Sequence, residues 1–379
     1  MTPVLSETAG ASEGAVRPST SSGSGAPAVR PSTSSGSGAV PTVDLHAHGL
    51  QPAVQALVAD QPGHQRQGEL DLRSFGAESA AVNRAQLARL GPLLVDPAQR
   101  VAAMDRAGVD VQLVSPMPLY HYWADEPLAR RITAATNEGI AGLVAAHPDR
   151  LRGLGTVPLQ HPALAVVELD RAVTELGLAG VQIGTAVGPY ELADEAFGDF
   201  WARAEELQAV VFVHPWGCSL GERLDRYYLS NTVGNPVETT VALSHLIFSG
   251  LLDRHPGLRI LAAHGGGYLP TYVGRSDHAW QVRPESRRSL HPPSHYLRRI
   301  WFDSLVYSPL ALRHLVEAVG SSQVVLGSDY PFDMGVEDPV ERLRAADLSP
   351  ADELAVRGGS AARLLQPTAA SLLSTAVTT

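Results

Sequence analysis

The sequence predicts an α/β chain folded as a (β/α)8 TIM barrel with a small insertion after the first strand. Three observations carry that expectation: short β-rich runs alternate with longer helical patterns, there are eight such runs, and several end in His or Asp. The runs are Thr42 to His48, Val109 to Pro116, Leu154 to Pro158, Gly180 to Ile183, Val210 to His214, Arg259 to His264, Ile300 to Asp303 and Val324 to Ser328. Most are continuously apolar, as strands of a parallel sheet covered on both faces must be. Between them, Ala163 to Leu176 and Phe197 to Leu207 place apolar residues at i, i+3 and i+4, the helical spacing.

The barrel is expected over residues 41–366. About 60 residues separate the first run from the second, too many for a simple connection, so 50–95 reads as an insertion or lid. Residues 1–40 contain AVRPSTSSGSGA twice, at 15–26 and 28–39. This Ser/Gly/Pro/Thr background buries too little apolar area to offset ordering entropy, and a disordered low-complexity tail is expected. A solenoid would need about three or more copies, and nothing similar recurs. The uncharged stretch 367–379 reads as a flexible C-terminal tail.

Composition narrows the function. Hydrophobic residues at 44% and charged residues at 18% describe a chain that buries a sizeable core. No apolar run approaches the roughly 20 residues of a membrane helix, so a soluble protein is expected, with no membrane partner. A net charge of −10 argues against a phosphate-backbone binder, so no nucleic-acid partner is expected. The opening MTPVLSETAG lacks a basic region followed by an apolar one, so cytoplasmic residence is the default. With Cys218 as the one cysteine, an intrachain disulfide, a cysteine-rich zinc knuckle and a protein-bound iron–sulfur cluster are excluded. All 29 basic residues are arginine. The absence of lysine removes Schiff-base chemistry, pyridoxal phosphate anchoring, a P-loop and metal pairs bridged by a carboxylated lysine, and favours a single metal.

The chemistry is expected at the strand ends. Val43-Asp44-Leu45-His46-Ala47-His48 ends in two histidines at i and i+2, which on a strand share one side at a spacing of about 6 to 7 Å. Alone, such a pair could be two solvated loop histidines. Val210 to Val213 is followed by His214, Leu261 to Ala263 by His264, and Val325 to Ser328 by Asp329, and in barrels the active site lies at the C-terminal strand ends. His46, His48, His214 and Asp329 then form a nitrogen-rich set suited to one Zn²⁺ per chain, with Co²⁺, Mn²⁺ or Fe²⁺ compatible. Such an ion lowers the pKa of bound water to about 7. His264, outside that set, would be the acid/base residue, with Asp329 also assigned to catalysis. The alternative makes His264 a fifth ligand.

Other residues are ambiguous by themselves. Gly265, Gly266 and Gly267 either present N–H groups to an anionic substrate or make a tight turn. Arg275 is either a solvated helix residue or a fork for a substrate carboxylate. Cys218 follows Trp216-Gly217 and reads as inert.

At these residues the sequence resembles the decarboxylase branch of the amidohydrolase superfamily, in the manner of the 2-amino-3-carboxymuconate-6-semialdehyde decarboxylases. The likeness runs from about Val43 to Leu365 and rests on the HxH, Tyr122-Trp123-Ala124, GLGTVPLQ at 153–160, GVQIGT at 180–185, FVHPW at 212–216, AHGGG at 263–267, Val273-Gly274-Arg275 and Gly327-Ser328-Asp329-Tyr330-Pro331-Phe332. It implies one zinc on the HxH pair, His214 and Asp329, with His264 as base. It also implies a homodimer in which Arg275 reaches the neighbouring site to hold a carboxylate. The family's substrate-gripping arginine in the insertion falls at Ala88, with Arg89 beside it and Arg84 near, and its substrate-facing aromatic falls at Asn231 when counted without gaps. Trp216, Arg89 and Asn231 are therefore the candidate substrate contacts beside Arg275. The resemblance implies non-oxidative decarboxylation of an unsaturated or aromatic acid, like a carboxymuconate semialdehyde or a substituted benzoate. The alternatives are a hydrolase or hydratase on the same site, and a catalytically inactive barrel acting as a binding subunit.

Overall fold

Val210 to Val213 is buried at every position, and so are Val43 to Gly49 and Gly180 to Ile183. Strands with no wet face pair with parallel neighbours under a layer of helices, and a computed structural model describing residues 40–366 has that arrangement. The tails expected at 1–40 and 367–379 lie, Val40 apart, outside the described residues.

Eight strand positions build the barrel: β1 (Val43–Gly49), β2 (Val111–Pro116), β3 (Leu151–Gly153, resuming at Gly155–Thr156), β4 (Gly180–Ile183), β5 (Val210–Val213), β6 (Arg259–Ala262), β7 (Trp301–Asp303) and β8 (Val324–Val325). All neighbouring pairs from β1 to β8 are parallel. Closure between β8 and β1 rests on two isolated bridges, Asp44 to Leu326 and Ala47 to Tyr330. The third strand starts three residues before the expected Leu154 because Val157-Pro158-Leu159, although apolar, turns out of the sheet, with the Leu159 N–H donating to the Val157 carbonyl.

Val43, Leu45, Leu113, Leu154, Val210, Phe212, Leu261 and Val325 fill the barrel interior. A larger cluster, including Val114, Ile140, Trp201, Leu246 and Phe302, lies between the strands and the helices. At β1 the register against β2 slips between Asp44 and Ala47, where two β1 residues stand beside one of β2. This bulge changes the parity of the strand. Val43 and Leu45 face inward below it, and His46 and His48 face inward above it.

The segment 50–95, expected as an insertion or lid, is helical at Pro52–Val58 and Pro62–Val95, followed by Pro97–Ala107. The long helix breaks at Gly76 (φ 77°, ψ 159°), where a Cβ would fall 1.9 Å from the Asp225 carbonyl oxygen. Only glycine permits that approach. Among the described residues no helix is long and apolar enough to cross a membrane.

Candidate metal centre

Each predicted ligand arrives on a strand end. His46 and His48 come from β1, His214 follows β5, and Asp329 follows β8 with a left-handed φ of 56°. Their ligand atoms all lie within 4.8 Å of one another, and all four residues are buried. His46 Nε2 is 3.2 Å from His48 Nε2, and Asp329 Oδ1 is 3.5 Å from the first and 3.2 Å from the second.

The outward nitrogens define what the inward ones are. His46 Nδ1 faces Asp303 Oδ2 at 2.6 Å, His48 Nδ1 faces the Pro116 carbonyl at 2.9 Å, and His214 Nδ1 faces the Pro215 carbonyl at 2.9 Å. Acceptors there place the proton on Nδ1 and leave an Nε2 lone pair aimed at the shared centre. His214 Nε2 is buried with no hydrogen-bond partner. Three imidazole lone pairs and a carboxylate facing one another repel, and a cation relieves that repulsion. The donor set fits a divalent transition metal.

The charges agree. Burial pushes His48 and His214 down, the latter well below the usual imidazole value with neighbouring histidines adding to the effect, so both are neutral. Burial alone would raise Asp329, but the surrounding histidines, His46 first and then His264 and His48, hold it well below the usual carboxylate range. His46 is drawn the other way: burial lowers it, yet Asp329, Asp303 and Asp44 together raise it. Positive charge is most welcome at that point.

His264 stands beside the four-ligand set. Its Nε2 is 3.6 Å from Asp329 Oδ2, its ring centroid is 5.1 Å from that of His214, and its Nδ1 is buried without a partner. Its backbone is left-handed (φ 54°), held by Asp303, which accepts from the His264 N–H at 2.8 Å and the Gly265 N–H at 2.9 Å. The Gly266 and Gly267 N–H groups donate to the Ala263 and His264 carbonyls. The glycine N–H groups are thus committed within the protein, and the run is a tight turn rather than an anion cradle.

Asp303 was not singled out as a site residue from the sequence. It is fully buried at the end of β7 and joins His46, His264 and Gly265 in one carboxylate. The signal was present, since β7 ends in an acid as β8 is followed by one.

The predicted substrate contacts scatter. Trp216 is half-buried beneath the long helix, its Nε1 donating to Asp71 at 3.4 Å and its ring edge-on to Phe75 at 5.4 Å. Arg84, Ala88 and Arg89 are exposed on that helix. Arg89 lines a cleft of about 820 Å³ shared with Thr42, Asp44, Met104 and Val340. Arg275 is exposed on the helix Leu269–Val282. Asn231 is half-buried in the wide turn Ser230–Gly234.

Tyr228, three residues before Asn231, is half-buried and within the electrostatic reach of Asp329. Burial pushes its hydroxyl up to about 12, with Asp333 and Asp329 adding to the shift. Tyr307 is raised likewise, first by burial and then by Asp329 and Asp303, and Phe332 packs 5.5 Å from the His48 ring. Tyr228 was not singled out from the sequence, where the adjacent Tyr227-Tyr228 pair was the available signal.

A family model described as amidohydrolase matches residues 43–366. The chain is 38% identical over 243 residues to a 2-amino-3-carboxymuconate-6-semialdehyde decarboxylase of Dictyostelium discoideum, covering 63% of this chain and 68% of that protein. It is 30% identical to a gamma-resorcylate decarboxylase of Rhodococcus jostii (strain RHA1), covering 70% of this chain and 86% of that one. Among solved structures, the 5-carboxyvanillate decarboxylase of Sphingomonas paucimobilis superposes with a TM-score of 0.74 at 28% identity, covering 87% of this chain and all of that one.

Proposed function

From the premise that the chain belongs to the amidohydrolase family, we propose that it is a zinc-dependent non-oxidative decarboxylase of an unsaturated or aromatic carboxylic acid. One observation carries the reading: His46, His48, His214 and Asp329 converge as ligands while His264 stands beside them, buried and uncommitted at Nδ1. A bound divalent ion supplies Lewis acidity and an anchor for an anionic substrate.

The chain's own residues supply the rest. His264 delivers a proton to the substrate carbon bearing the carboxylate. The bond from that carbon to the carboxylate then breaks, CO2 leaves, and the electron pair restores conjugation. Asp303 holds the His264 backbone and the His46 ring in place through its hydrogen bonds. In this reading Tyr228, Tyr307, Phe332 and Trp216 supply rings that suit a flat conjugated acid such as a carboxymuconate semialdehyde or a substituted benzoate. Arg275, exposed on its own subunit, reaches the partner's site in a homodimer and holds a carboxylate. The reading includes cytoplasmic residence.

The test is release of labelled CO2 from a panel of carboxyl-labelled muconates, benzoates and pyrimidines, on protein whose zinc and manganese are measured by elemental analysis. Stoichiometric metal with CO2 release from one substrate class supports the reading. Hydrolysis or hydration without CO2 release overturns it.

A further inference from the structure

The barrel closes between β8 and β1 through isolated bridges rather than a continuous ladder, at the point where three of the four candidate ligands lie. Every neighbouring pair from β1 to β8 makes a ladder, but the closure between β8 and β1 has only two isolated bridges, and β1 bulges at that point. His46 and His48 lie on one side of this seam and Asp329 on the other. Four main-chain bonds cross it: Leu45 N–H to the Leu326 carbonyl, His48 N–H to the Tyr330 carbonyl, and the Ser328 and Asp329 N–H groups to the His46 carbonyl.

A buried polar circuit runs along the outer side of the seam. Arg100, with no exposed surface, donates through Nη1 to Gln112 Oε1 at 2.8 Å and through Nη2 to the His48 carbonyl at 2.5 Å. Gln112 Nε2 donates to Asp44 Oδ2 at 2.8 Å. Asp44 also accepts from Ser328 Oγ at 2.6 Å, from the Ser328 N–H at 3.1 Å and from the His46 N–H at 3.1 Å. Ser328 Oγ in turn accepts from the Tyr330 N–H at 3.2 Å, and the Tyr330 ring lies 5.0 Å from the Arg100 guanidinium, which closes the loop. The direction is fixed by chemistry: a guanidinium only donates, a carboxylate only accepts, and the amide between them can face only one way.

Burying a guanidinium and a carboxylate here is no better for stability than well-packed apolar side chains would be. Their value has to lie in geometry. The circuit grips the backbone of His46, of His48 and of Ser328, next to Asp329, so it touches the chain at each of the three seam ligands and at none of the remaining wall. We propose that Arg100, Gln112, Asp44 and Ser328 are positioning residues that set the spacing of the three seam ligands, and thereby the affinity and coordination geometry of the metal. The inference rests on the metal reading of the cluster.

Co²⁺ serves as the probe, added in buffered titrations while its visible d–d absorption reports coordination geometry. Ser328→Ala removes one hydroxyl, and Gln112→Met severs the link between Arg100 and Asp44 at similar volume. Both are expected to bind Co²⁺ about tenfold or more weakly, with an altered absorption spectrum. The control is Asn137→Leu, which removes a pair of partly buried hydrogen bonds to Thr156 away from the seam. It is expected to lower the melting temperature while folded protein keeps wild-type affinity and spectrum. Wild-type affinity and spectrum in folded Ser328→Ala and Gln112→Met overturn the proposal. Should Gln112→Met not fold, Ser328→Ala decides alone. Wild-type protein that takes up no Co²⁺ overturns the metal reading and the clamp together, whereas uptake unaffected by the variants overturns the clamp alone.

Discussion

Two walls of this barrel bring the candidate metal ligands together by different means. On the β4–β5–β6 wall, ladders run unbroken from Gly180 to Ile183 and from Val210 to Val213, and helices cover them with apolar side chains such as Phe200, Trp201 and Leu246. That wall contributes one ligand, His214, positioned by the sheet itself. The β8–β1 seam contributes three ligands and is joined by isolated bridges beside a bulge. Asp44, Arg100 and Gln112 do there by hydrogen bonding what main-chain pairing does opposite. A continuous ladder repeats its side-chain positions every second residue, whereas a bulged seam can aim side chains where a ladder would not.

The sharpest way to break the comparison is at the one group that belongs to neither wall's ligand set. His264→Ala is expected to lower turnover about 10²- to 10⁴-fold while elemental analysis finds metal content near wild type. Loss of the metal would make His264 a ligand instead. On the laddered wall, Trp201→Ala removes a side chain that is 1% exposed and donates to the Leu192 carbonyl at 2.7 Å. It is expected to cost about 3 to 5 kcal/mol in denaturant unfolding and to leave the metal affinity of folded protein unchanged. If metal affinity falls as well, the two walls are not independent.

For the β7 carboxylate that supports the seam ligand His46 the balance reverses. Asp303→Asn keeps the shape but weakens the acceptor for His46 Nδ1, and is expected to weaken metal binding about 10- to 100-fold with a smaller change in melting temperature. Across subunits, His264→Ala chains assembled randomly with Arg275→Ala chains should recover about a quarter of wild-type activity if Arg275 acts in trans within a dimer. No recovery would confine Arg275 to its own chain. A test independent of the metal lies at Cys218, in the loop after β5, whose thiol is pushed up to about 11, first by burial. Because only the thiolate reacts, alkylation near pH 8 should be about a hundredfold slower than for an open thiol and rise about tenfold per pH unit toward pH 11. A midpoint near that of a free thiol would mean the loop opens.

The difference between the walls also explains what could be read in advance. The barrel and its ligands were legible because both depend on local pattern: apolar runs of strand length, and a His or Asp where each run stops. The bulge in β1 was not, because nothing in Asp44-Leu45-His46-Ala47 differs from an ordinary strand until β2 lies beside it. Arg100 and Gln112 were invisible for the same reason. One sits in a helix and the other in a strand, and only the fold brings them to Asp44. The long helix Pro62–Val95 was read as an undefined insertion since Gly76, Pro92 and a largely polar surface obscure its periodicity. Substrate contacts fared differently again. Their placement depends on loop conformation, which the local pattern around Trp216 and Asn231 does not encode.

The parity change in β1 bears on transplanting this centre. On an unbulged strand that keeps Val43 and Leu45 in the barrel interior, histidines at 46 and 48 would point into the helical layer, where Asp44 now lies. A designer copying only the His-x-His spelling into another barrel would therefore graft the ligands onto the wrong side. What must travel with them is one surplus residue and the outer polar loop that tolerates it.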